Sequence, residues 1–135
     1  MRRTLLAFAA FALVGCGGDS TGPVASAEGT WQLQTVNGSP LPFTVAFVAN
    51  PVYRLEVVSD TFIAHGNGTY DETSTIRETQ GSTVTTTQQN DNGTWTQNNA
   101  ALTITSVDGT VESAAISGNT ITVNVQGAVL VYARQ

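Results

Sequence analysis

"GNTITVNVQGAVLVYARQ", residues 118–135, is the stretch on which the fold turns. Ile121, Val123 and Val125 alternate with Thr120, Thr122 and Asn124, the two-residue period of a strand with one buried face. Gly118-Asn119 ahead of them is a turn signal. Residues 128–134 then read as a further strand, apolar on both faces, which belongs centrally in a sheet or under a cover. A helix would bring apolar residues back every three to four positions, and no window from Gly29 onward does so.

Working back from there, the same grammar repeats. Leu102, Ile104 and Ser106 share a face. Tyr70, Ser74 and Ile76 share another, Tyr53, Leu55 and Val57 alternate with Arg54 and Glu56, and Trp31 and Leu33 alternate with Gln32 and Gln34. Phe62 and Ala64 extend the Tyr53 strand past a bend near Ser59-Asp60. Thr and Val dominate, and their branched side chains pack well on a pleated surface. Asn37-Gly38, Asn67-Gly68, Asn92-Gly93 and Asp108-Gly109 join Gly118-Asn119 as turn dipeptides, suited to the positive φ of tight hairpins. "NGSPLPFTVAFVANP", residues 37–51, is broken by prolines, with a short strand over 43–48. About eight to ten short antiparallel strands in sequence must close on themselves or pack as two sheets. The expected fold is an all-β, antiparallel up-and-down β-barrel.

The N-terminus is different. Arg2 and Arg3 precede an apolar run over 4–14 that is too short to span a bilayer, which takes about 20 residues. It has the length of a signal-peptide core. The run ends Leu13-Val14-Gly15-Cys16, and this resembles the lipobox of bacterial lipoprotein signal peptides. The resemblance implies removal of residues 1–15, lipidation of Cys16, and a lipid anchor in the cell envelope. Gly17, where an Asp would favour the inner membrane, leans the expectation to the outer membrane. "GGDSTGPVASAE", residues 17–28, reads as a flexible tether. The expected organisation is a signal peptide (1–15), a lipidated tether (16–28) and a barrel domain (29–135).

Gly29-Thr30-Trp31 at the start and Arg134 at the end resemble the G-x-W and closing Arg of lipocalins. "GTWQLQTVNGSPLP", "NGTYDE", "NGTWTQNNAALTI" and "ISGNTITV" are similar to small bacterial lipocalin-like lipoprotein domains. The resemblance implies that Arg134 packs on Trp31 where the barrel closes. It also implies that the interior takes a small hydrophobic or amphipathic molecule. Candidate ligand-facing residues are Trp31, Tyr53, Phe62, Tyr70, Glu72 and Trp95. Large interior residues mix with small ones (Ala64, Ala115, Ser74), which leaves open a filled barrel acting as a structural or interaction module of the envelope.

Chemistry is sparse. The sequence has no lysine, ten acids and a single histidine. After residue 16 only Arg54, Arg77 and Arg134 are cationic, which argues against nucleic acid as a partner. His65, near Asp60 and Asp71, reads as a surface turn residue. Asp91-Asn92 and Asp108 read as turn formers, not calcium ligands. No nucleophile–base pair, phosphate loop, metal set or cofactor motif is present, so the expectation is a monomeric, non-enzymatic protein without cofactor or metal. Glu72 shares the face of Tyr70 and would be a partly buried acid if that face were inward. Because "ETQGSTVTTTQQN", residues 78–90, is polar on both faces, the 71–92 hairpin is expected to protrude or to form a hydrated cavity wall, and Glu72 to be solvated.

Overall fold

The structure, a computed structural model, describes residues 23–135. Its regular elements are ten strands: β1 (Gly29–Val36), β2 (Ser39–Pro40), β3 (Phe43–Ala49), β4 (Val52–Ala64), β5 (Thr69–Gln80), β6 (Thr83–Asn98), β7 (Ala101–Ser106), β8 (Val111–Ser117), β9 (Thr120–Val125) and β10 (Ala128–Arg134). Neighbours run β1-β10-β9-β8-β7-β6-β5-β4, all antiparallel, and β4 returns to pair with β1. The sheet therefore closes as an eight-stranded barrel. Trp31 marks the seam, opposite Arg134 of β10 on one side and Phe62 of β4 on the other. The expectations for Cys16 and the signal peptide lie outside the described residues, as does most of the tether.

Alternation does what the sequence implies. Leu102 and Ile104, Ala114 and Ile116, Ile121 and Val123 point inward and are buried, while their neighbours face out. Ala115, expected inside, faces outward, and Ala114 takes its place. Bulges at Leu33/Thr35 of β1, Thr44/Ala46 of β3 and Val57/Ser59 of β4 bend these strands, as an extra unpaired residue does.

One end of the barrel is plugged. Trp31 is fully buried there, and its indole Nε1 donates to the Ala27 carbonyl at 2.8 Å. The Arg134 guanidinium lies 4.1 Å from the Trp31 ring centroid, a cation over a π face. It also donates to the carbonyls of Glu28, at 2.7 Å, and Ser26. Gln97 accepts from Ala27 N and donates to Ala25 O, each at 2.8 Å. Residues 25–28 are thus strapped across the barrel end, and Ala27 belongs to the core. The expected tether over 16–28 is corrected on this point: its last four residues are part of the domain, because Trp31, Gln97 and Arg134 satisfy their backbone.

At the other end a sheet projects. The first half of β4 leaves the barrel and pairs with β3. The long β5–β6 hairpin continues beside it, turning at Gly81. On this sheet Arg77 Nε donates to Glu56 Oε2 at 2.9 Å, and Arg54 stacks on Phe47 at 5.4 Å. The hydrogen bond from Arg77 holds the Glu56 carboxyl below its ordinary range, against the opposing effect of burial.

Two expectations about β5 and β6 are corrected. Asn92-Gly93 is no turn; it lies inside β6, where Gly93 faces Tyr70 of β5 and Ser106 of β7. A Cβ on Gly93 would fall far inside van der Waals contact with the Thr105 carbonyl oxygen and 2.9 Å from the Tyr70 ring. The glycine serves close approach, not chain reversal. The 71–92 hairpin protrudes only in its outer part, roughly residues 75–88, while 69–74 and 89–94 are barrel wall. Glu72 is consequently not solvated: it points inward opposite Phe62 and is half-buried.

Candidate binding cavity

Between the plugged end and the projecting sheet the barrel is hollow. The cavity measures about 450 Å³, inside the range of small-molecule sites, roughly 300–1,000 Å³. Phe62, Ile121 and Tyr132 approach it from the plugged side. Leu33, Val57, Val123 and Leu130 form aliphatic walls. Val36, Phe43, Val45, Val125 and Gln126 surround the far end. Val45 and Gln126 are exposed, so the cavity reaches the surface there.

Three acids stand in this mainly apolar lining, beside the polar Ser74, Gln126 and Tyr132: Asp60 on β4, Glu72 on β5 and Glu112 on β8. Asp60 sits just past the β4 bulge, paired with Ser74. It is only 5 % exposed; one carboxylate oxygen, Oδ2, accepts from the Ser74 hydroxyl, and Oδ1 has no partner at all. From β10, across the lumen, the Tyr132 hydroxyl donates to Glu72 Oε1 at 3.2 Å. Burial pushes the Glu72 carboxyl up to about 8, with the charge and nearness of the Asp60 carboxyl adding to the rise and Tyr132 opposing it. Burial also raises Asp60, against the hydrogen bond from Ser74 and the nearness of Glu72 and Tyr132. Glu112 is raised by burial and by the charges of Asp91 and Asp60. Tyr132 stays neutral, its hydroxyl lifted by burial and by both acids. Near neutral pH the Asp60–Glu72 pair holds a proton, because two anions side by side in an apolar wall repel and lack solvation.

A polar side chamber of about 240 Å³ adjoins the cavity and shares Glu72, Ile104 and Glu112 with it. Here Asp91 accepts from the Tyr70 and Ser106 hydroxyls, both at 2.7 Å. Burial pushes the Asp91 carboxyl up, but these two hydrogen bonds and one from its backbone neighbour Asn92 outweigh it and hold it low. Asp91 is therefore an ionised anchor in a strand, not the turn former expected. Among the described residues no three His, Cys, Asp or Glu side chains are grouped to hold a metal ion.

Of the six candidate ligand-facing residues, Phe62 and Glu72 line the cavity. Trp31 lies too deep, sealed under the strap. Tyr53 sits on the projecting half of β4, opposite Val48 and Gln80. Tyr70 turns into the side chamber. Trp95 lies at the plugged end, its indole donating to the His65 carbonyl at 3.1 Å beside an open groove. His65 itself pairs with Asp71, not Asp60, at 2.8 Å on the surface. Asp60, Glu112 and Tyr132 were not singled out as cavity residues. Asp60 hides behind a bulge that breaks the period-two reading, and Glu112 falls in "VESAAIS", where alternation alone would have found it on the face of Ala114 and Ile116. No family model matches the chain, and no curated protein is similar to it at a significant level.

Proposed function

We propose that this protein is a lipid-anchored, lipocalin-like binding protein of the cell envelope, holding a small hydrophobic or amphipathic molecule inside its barrel. The observation that carries the binding half is the surface-connected, mainly apolar cavity of about 450 Å³. Barrels of about eight strands either fill with side chains or hold one small ligand, and an unfilled interior favours the second. The anchoring half rests on Leu13-Val14-Gly15-Cys16. Acyl chains buried at about 0.8 kcal/mol per CH₂ hold a protein firmly once two or three are attached.

Native mass spectrometry of the intact protein purified from its own host tests the binding half. The expected result is a co-purified small amphiphile. Repeated spectra of bare protein, together with no fluorescence enhancement of the neutral probe N-phenyl-1-naphthylamine, would contradict it. Cys16→Ala tests the anchor: the variant should leave the membrane fraction, and unchanged retention would remove that claim.

A second reading has one observation in its favour. Val45, Phe47, Val48 and Val52 are exposed on the projecting sheet, which suits an envelope module that engages a protein partner. That reading gains if the bare barrel binds no small molecule.

A further inference from the structure

We infer that the cavity takes an amphipathic amine, whose N–H-bearing ammonium group docks against Asp60 and Glu72 while its apolar body lies along Leu33, Val57, Val123 and Leu130. This rests on the reading of the barrel as a binding protein and adds the chemistry of the ligand's head. Asp60 Oδ1 is a buried acceptor with no donor. Buried acceptors are nearly always satisfied, and leaving one unpaired is costly. Asp60 lines the cavity, and a small rotation of its carboxylate would bring Oδ1 to a ligand N–H docked there.

The charge balance points the same way. The cavity lining contains Asp60, Glu72 and Glu112 and no Lys, Arg or His. The three arginines among the described residues are committed elsewhere: Arg54 to Phe47, Arg77 to Glu56 and Arg134 to the strap. Nothing in the wall neutralises these acids, and an anionic head group would meet them with its own charge. A bare metal ion fits poorly, since the acids are not grouped as ligands and the aliphatic wall asks for an apolar body. An ammonium on an alkyl or aryl body meets both demands.

The Asp60–Glu72 pair keeps a proton near neutral pH, with Glu72 raised to about 8. The groups facing it are Tyr132 from β10 and Glu112 from β8, with the Tyr70–Asp91 pair behind Glu72. Tyr132 and Tyr70 stay neutral through the relevant range, their hydroxyls raised by burial. An incoming ammonium therefore displaces a proton, and its affinity increases as the pH rises through the titration of the pair.

The test is calorimetric titration of the full chain with decylamine, decanol and decanoate below their micellar concentrations. Wild type should bind decylamine at least about tenfold tighter than decanol, and decanoate most weakly. The decylamine preference should grow from pH 6 to pH 8, while decanol affinity stays flat. Asp60→Asn should remove most of the preference, and Glu72→Gln should remove its pH dependence, both in proteins that still melt cooperatively. Equal binding of all three ligands, or an undiminished amine preference in Asp60→Asn, would overturn the head-group assignment and leave the barrel as a binder of apolar molecules. Failure of all three to bind the cooperatively folded wild type would overturn the binding reading itself.

Discussion

Gly93 shows how one residue can be misread and still be decisive. In the sequence it follows Asn92, and the pair has the chemistry of a hairpin turn. In the barrel it sits mid-strand, where the Thr105 carbonyl and the Tyr70 ring press onto the missing side chain. The distinction is physical: the same absence of a Cβ permits positive φ in a turn and close contact in a strand. No property of the dipeptide separates the two. Gly93→Ala should therefore destabilise the fold by about 3 kcal/mol, since backbone atoms must move to admit the methyl group. Urea denaturation measures this. A change under about 0.5 kcal/mol, the size of an ordinary surface substitution, would show that the close approach is not real. Gly29 is constrained on two counts: its φ of 137° is one that side chains rarely adopt, and a Cβ there would meet, at 2.6 Å, the Arg134 guanidinium that Trp31 and the strap hold in place.

At the scale of elements, the strap of residues 25–28 and the strands it crosses act as one unit. Its sequence is small and polar, with no period, so composition marks it as linker. What orders it is remote in sequence: Gln97 on β6 and Arg134 on β10 hold its backbone groups. Local reading has no access to such contacts. Strands β7 and β9 were legible because each buries one face and shows it as alternation; β10 was legible as an apolar run, and β8 was not read as a strand, its Ala115 being assigned to the wrong face. The β5–β6 hairpin was legible as a hairpin but not in its depth, because its polar outer half hid the inward turn of Glu72. Arg134→Ala removes a stacked cation and two charge-assisted hydrogen bonds, and should cost about 2 kcal/mol. A fall in Tm of about 10 °C is expected for a domain of this size, with increased exposure of Trp31 seen in its fluorescence. An unchanged Tm and emission maximum would mean that the strap does not hold the barrel end.

At the scale of the whole molecule, the buried acids tie stability to pH. A carboxyl group with a higher pKa folded than unfolded keeps a proton that the unfolded chain releases. Its contribution is fully present below the unfolded value of 4.5 and is lost as the pH rises through the folded value, about 8 for Glu72. The barrel should thus be more stable at pH 5 than at pH 9. Each tenfold difference in proton affinity is worth about 1.4 kcal/mol, and partial hydration of the site reduces the total to the order of 2 kcal/mol. Glu72→Gln should flatten this dependence and raise Tm at pH 9. Thermal melts across that range check it, and a wild-type barrel that gains stability towards pH 9 would contradict the placement of Glu72 in the wall.

Both the cavity and its acids exist only because the sheet closes. Strand β1 must touch β10 and β4 at once, with Trp31 opposite Arg134 and Phe62. Nuclear Overhauser contacts across β1 in the folded protein measure this directly. Closure predicts backbone contacts from residues 30–32 to both 61–63 and 133–134 in a single set of signals. Contacts to β10 alone, with the β4 side of β1 exchanging freely with solvent, would describe an open sheet without an interior.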